Sequence, residues 1–526
     1  MITFVIALIA LVLGFILYGS FVERTFGIQP ERETPSYRLQ DGVDYIPMPT
    51  WRVYLIQFLN IAGTGPIFGA IMGILFGPAA YLWIVFGCIF MGAVHDYLCG
   101  MISLRQDGAS LPELVGNELG NTARQGMRVL SIVLLVLVGT VFVTTSAGLL
   151  ATMTNGAWGM DLTAWRWLWI GFVFLYCVLA TLLPIDTLIG RLYPLFGAAL
   201  LIMAIGVGFG LFTQTGLLPE ITDAPFVSHH PKGLPIFPFL CITIACGAIS
   251  GFHGTQSPLM SRCLQNERRG RLVFYGAMIT EGIVALIWAA AAIKFASATA
   301  LSAAADTLSA AAGSTDALAA SATLASSCAV SGGSSAGASA YSALLQLLTG
   351  NGTTSSNPAL LVNMICTTWM GRIGALLAVL GVVAAPITSG DTAYRSARLI
   401  VADFMHLTQK KIANRLLLAL PLFAISAALV FVDFDVLWRY FAWTNQTLAT
   451  CFLWTAAVWL LHHKRNAWIA FLPAVFMTVV VTSYILAAPE GFSLSHTPSL
   501  IAGFALAIVL AAWFLRYMQT HKNISK

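Results

Sequence analysis

Thirteen stretches of roughly twenty apolar residues, each long enough to cross a lipid bilayer, follow one another through this chain of 526 residues. They fall near 2–20, 56–76, 79–103, 129–152, 166–184, 192–213, 235–256, 272–293, 360–388, 415–432, 438–461, 467–487 and 498–515. In lipid a backbone must satisfy its own polar groups, so runs of this length fold as helices. Only 9% of the residues are charged and 58% are hydrophobic, against roughly 25% charged in soluble domains. The sequence therefore predicts an all-α polytopic membrane protein with about 13 transmembrane helices embedded in a lipid bilayer. The opening run, 1–18, lacks a basic leader and a small-residue cleavage site, so it reads as a retained helix. Nine cysteines sit mostly inside apolar runs, with no CxxC pair or histidine-spaced set, and read as free packed thiols. No metal ligand set and no cofactor motif is apparent.

The net charge of +5 bears on membrane orientation and gives no sign of a nucleic-acid partner. With the N-terminus outside, 22 of the 27 Lys and Arg residues fall on cytoplasmic segments, in groups such as Arg24, Arg32, Arg38 and Arg52, or Arg262, Arg268, Arg269 and Arg271. Arg166, Lys232, Lys294, Arg372 and Arg439 remain for the outer face or its margins. Positive residues favour the cytoplasmic side, so the expected topology is N-out and C-in. The outer segment 295–357 is rich in Ala, Ser and Gly and holds Lys or Arg nowhere beyond 294. A helical hairpin over its Ala-rich first half and a low-complexity loop fit it equally well.

Two of the spans are broken by glycine: Ala62-Gly63-Thr64-Gly65-Pro66 through Gly69, and Gly247 through Ser250-Gly251-Phe252-His253-Gly254. Pro66 removes a donor, and its flanking glycines lower the cost of unwinding. Glycines can also serve close helix packing. Freed backbone groups are tolerated at membrane depth only where protein encloses them. The second and seventh spans carry the breaks and run antiparallel, five helices apart. That is the arrangement of a five-plus-five inverted repeat, the core on which LeuT-like (amino acid–polycation–organocation) transporters are built. The expected organisation is an extra N-terminal helix and loop (1–55), a first repeat (56–234), a second repeat carrying the outer insertion (235–461), and peripheral C-terminal helices (462–526).

Ionisable groups at membrane depth are costly and commonly functional. Glu281 stands in Ile279-Thr280-Glu281-Gly282-Ile283 with no basic neighbour, placed to carry a coupling proton or to make a structural hydrogen bond. His95-Asp96 offers a proton relay or a gate, although adjacent helical residues point about 100° apart and can serve different partners. His253 fits a substrate carboxylate or the freed carbonyls. Thr388-Ser389, expected at the end of the ninth span, brings hydroxyls toward carbonyls freed at Asn60–Gly63, where LeuT-like transporters place sodium; a helix cap is the alternative. Asp391, Arg395 and Arg398 share a helical face and suggest a cytoplasmic gate together with Asp186. Asn445 and Gln446 offer amides to a substrate or serve as polar links between helices. Gly63, Thr64, Gly65, Ser250 and Gly251 complete the expected substrate site. Half-helix N-termini there favour a carboxylate.

At these residues the chain resembles the carbon starvation (CstA) family of bacterial inner-membrane transporters. The likeness rests on Ala62-Gly63-Thr64-Gly65-Pro66, Gly92-Ala93-Val94-His95-Asp96, Asp107 through Leu111, Leu183-Pro184-Ile185-Asp186 with Gly190-Arg191, and Ser250 through His253. It continues in Asn266-Glu267, Tyr275 through Met278, Asp391 through Arg398, and Asn445-Gln446. The resemblance implies import of short peptides, or of pyruvate-like small carboxylates, coupled to H+ or Na+ and induced in starvation. It also implies a bacterial cytoplasmic membrane, with the N-terminus periplasmic and the C-terminus cytoplasmic. The chain differs from the family in its shorter length and in Gln57 and Asn60, where histidine is frequent. An intramembrane enzyme is disfavoured, since no HExxH or GxSxG motif is present. A channel or a transport-derived sensor remains the alternative. Repeated broken helices favour a carrier over a pore, and nothing after the last span reads as an output domain.

Overall fold

A computed structural model describes residues 1–524 apart from 43, 156, 183–184, 223–225, 312–334, 350–357, 406 and 408–411. For 157, 181–182, 185–194, 303–311, 335–339, 349, 385 and 521–524 it describes the backbone alone. The described residues are helical throughout, with no strand. In chain order we label α1 (Ile2–Phe26), α2 (Thr50–Ile61), α3 (Gly65–Phe76), α4 (Ala79–Arg105), α5 (Leu111–Leu119), α6 (Asn121–Thr154), α7 (Leu162–Leu182) and α8 (Ile185–Thr213). Then follow α9 (Ile236–Thr243), α10 (Gly251–Ser261), α11 (Glu267–Ser302, its helical backbone continuing to Ala311), α12 (Ser335–Thr349) and α13 (Pro358–Met405). The last four are α14 (Ile412–Leu429), α15 (Phe434–His462), α16 (Trp468–Ala487) and α17 (His496–Ile524). Ten of these helices are long and apolar enough to cross a membrane, or eleven if α2 and α3, bent by 47°, count as one span.

Both glycine segments break their helices, each with a boundary slightly different from the expected one. The first break is only 62–64. Pro66 starts α3 in its first turn, where a missing N–H costs nothing. The second lies at 244–250, so Gly251 to Ser257 belong to the following half-helix. The ninth span is also redrawn. The helix kinks at Gly371, which holds a left-handed φ of 61°, and then continues to Met405. Thr388-Ser389 is therefore helix interior and no C-terminal cap. The polar run Thr388 to Asp391 ends the apolar pattern without ending the helix; Ser389 reaches Leu59 O of α2 and Asp391 pairs with Arg395 one turn on. In the insertion, the Ala-rich stretch to 311 prolongs α11 and 335–349 forms α12; 312–334 and 350–357 lie outside the described residues.

The broken helices form the centre. α3 packs on α11, α10 on α4 and α15, and α6 on α13. Glycines permit the closest approaches. A Cβ on Gly65 would lie 2.5 Å from Cys246 Sγ, and one on Gly92 would lie 2.2 Å from the Ala248 carbonyl oxygen. The periphery is lipid-like, with Ile6 and Ile9 of α1, Phe172 and Leu175 of α7, and Ile501 and Trp513 of α17 all exposed.

The two ends of the bundle are built differently. At the end holding most of the basic residues, the segment joining α1 to α2 lies across the α10–α11 turn. Met48 N donates to Cys263 O (3.1 Å), Ser36 Oγ to Leu264 O (2.9 Å) and Gln29 N to Glu267 Oε2 (2.6 Å). Arg105 grips the same fully buried Glu267 with two nitrogens, at 3.2 and 3.0 Å. At the opposite end the 214–235 loop is tied to the core by Leu217 N to Ser297 Oγ (2.7 Å) and His229 N to Leu75 O (2.8 Å). There His230 stacks on Phe76, with 5.2 Å between ring centroids, and its Nδ1 accepts from Lys232 N at 3.3 Å.

Burial first, then the charges of Lys232 and Arg439, push His230 down from 6.5 to about 4. A depressed histidine contributes stability that is fully present above its unfolded value and is lost as pH falls from 6.5 toward 4. Amide hydrogen exchange across 228–234 should accordingly speed up over that acid window, and His230→Gln should flatten the response. An unchanged profile in that variant would exclude His230 as the cause.

Candidate functional site

The second break explains itself through α15. Unwinding 244–250 strands carbonyls on α9 and N–H groups on α10. Asn445 Oδ1 accepts from Phe252 N at 2.6 Å and from Ser250 Oγ at 3.2 Å, which caps α10. Gln446 Nε2 donates to Cys241 O at 2.6 Å, on the other side of the break. Asn445 Nδ2 also reaches Ser250 Oγ (3.0 Å) and Cys246 Sγ (3.5 Å). Two adjacent amides thus hold both ends of one broken helix. One α10 N–H that the sequence assigned to a carboxylate is already occupied by Asn445. Gly251 allows this contact, since a Cβ there would lie 2.3 Å from the Asn445 carbonyl oxygen.

At the first break Ser389 Oγ donates to Leu59 O at 3.3 Å, so α13 hydroxyls do reach the carbonyl end of α2. Thr392 Oγ1 returns to Thr388 O at 2.9 Å. Gln57 Nε2 donates to Ser257 Oγ at 3.2 Å and links α2 to α10. Gly63, Thr64 and Gly65 are fully enclosed. Asn60 Oδ1, Thr64 Oγ1 and Gln57 Oε1, in and just before the first break, are buried without a hydrogen-bond partner.

Between the breaks runs a chain of four ionisable side chains. His95 Nδ1 lies 2.8 Å from Asp96 Oδ1. Asp96 Oδ2 lies 2.8 Å from His253 Nδ1. His253 Nε2 lies 3.3 Å from Glu281 Oε2, in ion-pair range but off the hydrogen-bond line. All four residues are fully buried. His95 and Asp96 therefore pair with each other despite being neighbours on α4, and Asp96 uses its second oxygen for α10. His253 makes no hydrogen bond to a freed carbonyl among the described residues. It bridges two carboxyls. The titratable groups around the chain are the buried thiols of Cys88, Cys99 and Cys246, each in electrostatic range of Asp96. Cys246, His253 and Glu281 also bring ligand-type atoms within 4.8 Å of one another.

The expected gate on α13 is buried. Arg395 lies 3.8 Å from Asp391 and donates to Ala180 O at 2.8 Å; Arg398 is buried on the same helix. The Asp186 side chain lies outside the described residues.

These features coincide with a family match. The model of the carbon starvation protein CstA family matches residues 1–166 and 152–484. The chain belongs to the CstA family. An uncharacterised membrane protein of Haemophilus influenzae is 46% identical over 338 residues, covering 56% of this chain and 91% of that protein. The peptide transporter CstA of Bacillus subtilis is 30% identical, covering 55% of this chain and 58% of its own length. The pyruvate/proton symporter BtsT of Escherichia coli is 28% identical, covering 51% and 45%. The chain thus spans about half the length of these CstA-family transporters. A manganese transporter of Eremococcus coleocola, solved as a mutant, shares the fold at a TM-score of 0.52 and 13% identity, covering 92% of this chain and 99% of that one. The named relatives are transporters and not enzymes, and the CstA-family fold described above is that of a multi-pass membrane protein.

Within this CstA-family chain, sequence reading missed the Gln57–Ser257 link and the thiol of Cys246. A lone buried cysteine and a serine 200 residues from its partner carry no local signal of their contacts.

Proposed function

We propose that the chain is a secondary active transporter that imports short peptides, or pyruvate-like carboxylates, driven by the proton gradient. The observation that carries this reading is the buried His95–Asp96–His253–Glu281 chain lying between two broken helices. A buried carboxylate with two imidazoles and a second acid can hold or pass one proton at little cost in charge separation. The names of the relatives, peptide transporters and a pyruvate/proton symporter, point the same way. Gly63, Thr64, Gly65 and Ser250 are assigned to the substrate site, with Asn445 and Gln446 acting as braces for its walls.

The topological part of the proposal is a LeuT-like five-plus-five repeat, with 56–234 and 235–461 as its halves. Counting α2 with α3, α9 with α10, and α15 as spans brings the total to thirteen. Contact between the breaks at Gly65 and Cys246 supports it. The basic end is assigned to the cytoplasm of a bacterium, with the N-terminus outside, and Asp391, Arg395 and Arg398 to an inner gate.

Sodium coupling is a second reading, favoured by Ser389 Oγ meeting Leu59 O, since hydroxyl and carbonyl oxygens suit a hard cation. Uptake into proteoliposomes under an imposed proton or sodium gradient, run against dipeptides and pyruvate, separates these readings. Proton-driven accumulation of one substrate class is expected. Accumulation driven by sodium alone would replace the proton reading, and gradient-independent flux at channel rates would overturn the carrier.

A further inference from the structure

The four-residue chain ends in an atom with no partner. His95 Nε2 is fully buried and makes no hydrogen bond. It faces Gly254 of α10: a Cβ on that glycine would lie 3.4 Å from Nε2 and 3.2 Å from Cε1. From there a stripe of small polar groups follows the α4–α10 seam toward the basic end. On α4 it comprises His95, Cys99 and Ser103, spaced four apart and hence on one face. On α10 it comprises Gly254 and Ser261, two turns apart. Cys99 Sγ donates to Gly254 O at 3.4 Å. Ser103 Oγ and Ser261 Oγ lie 3.0 Å apart, and Ser103 Oγ donates to Ala109 O at 2.9 Å. Just beyond, Asp107 is exposed and paired with Arg38. The other buried polar side chains of α10 between Gly254 and Ser261 bond elsewhere, Ser257 with Gln57 of α2 and Gln256 with Thr255.

We propose that the proton leaves the relay from His95 Nε2 and travels to the basic end along the Cys99–Ser103–Ser261 stripe. This rests on the proton-coupled reading above. With Glu281 and Asp96 each holding one proton, His253 protonated on Nδ1 and His95 on Nε2, every group is neutral. Rotation of Glu281 onto the hydrogen-bond line then passes its proton to His253 Nε2. The Nδ1 proton of His253 moves to Asp96 Oδ2, the Oδ1 proton of Asp96 moves to His95 Nδ1, and His95 releases its Nε2 proton into the stripe. One proton leaves, and Glu281 is left as a carboxylate beside an Nε2–H donor, ready to take the next proton from the opposite side. His95 to Cys99 and Cys99 to Ser103 are each about one helical turn, a spacing that one bridging water spans, and Ser103 meets Ser261 directly at 3.0 Å.

The test uses the full-length protein in vesicles containing a fluorescent pH dye, acid outside, with dialanine or pyruvate as substrate. The wild type must first show substrate-linked acidification of the lumen; its absence would overturn the coupling reading itself. Given that signal, Ser103→Ala/Ser261→Ala should slow acidification and net uptake about tenfold, the size of one modest added barrier. Counterflow exchange at equal pH should be unchanged, and Ser103→Thr should behave as wild type. If the double variant acidifies at the wild-type rate while Glu281→Gln does not acidify at all, the relay stands and this exit route is wrong. Should the double variant fail to fold, Cys99→Val, which removes only the middle of the stripe, should slow acidification in the same sense. Wild-type rates in Cys99→Val would overturn the proposal.

Discussion

Glu281→Gln should abolish proton-driven accumulation while leaving substrate exchange within about twofold of wild type. Glutamine fills the same volume and still meets His253 Nε2, so the fold keeps its packing. What disappears is a group that can both accept and release a proton. Glu281 is fully enclosed, with Asp96 the other acid on the chain, and the only imidazole within ion-pair range among the described residues is His253. Exchange requires the loaded carrier to reorient but not to discharge its proton, so it reports on folding and binding separately. The measurement is uptake of labelled substrate against its gradient, beside counterflow at equal pH. Wild-type, pH-dependent accumulation in the variant would remove Glu281 from the coupling mechanism.

Gly251→Ala should prevent stable folding, and it tests the second break directly. The added methyl would lie 2.3 Å from the Asn445 carbonyl oxygen and 2.6 Å from Ala449 N. Both are backbone atoms of α15, which cannot move aside as a flexible side chain can. Overpacking of this kind costs on the order of 1–3 kcal/mol or more, and it also pulls Asn445 from the Phe252 N–H it caps. Gly126→Ala on α6 is the matched control, since nothing lies within 4 Å of the new methyl. Thermal unfolding in detergent should show a clear loss for Gly251→Ala and little change for Gly126→Ala. Equal stability of the two would mean that α10 and α15 are not packed as described.

Much of this architecture was legible in one dimension. Apolar runs report membrane helices because lipid leaves the backbone no other partner, and the glycines around Pro66 and from Gly247 to Gly251 marked the breaks because glycine lowers the cost of unwinding. The approach of α13 hydroxyls to the first break was expected at Asn60–Gly63, and Ser389 meets the neighbouring Leu59 carbonyl. Boundaries were less legible. The polar residues Thr388 to Asp391 looked like a helix end, but the helix runs on to Met405 and Ser389 meets Leu59 O of α2 from inside it, a partner with no sequence proximity.

By itself, then, the sequence determined that the chain is a bundle of membrane helices with two interrupted spans, because those properties depend on local composition and backbone chemistry. Only the tertiary structure decided what the interruptions enclose. His95 and Asp96 belong to α4, His253 to α10 and Glu281 to α11, and their side chains form one line only where these helices cross. The same crossing sets Asn445 and Gln446 against the two ends of the second break. Hydrogen bonds between residues some 200 positions apart depend on ångström-scale placement, which long-range packing sets and no local pattern encodes.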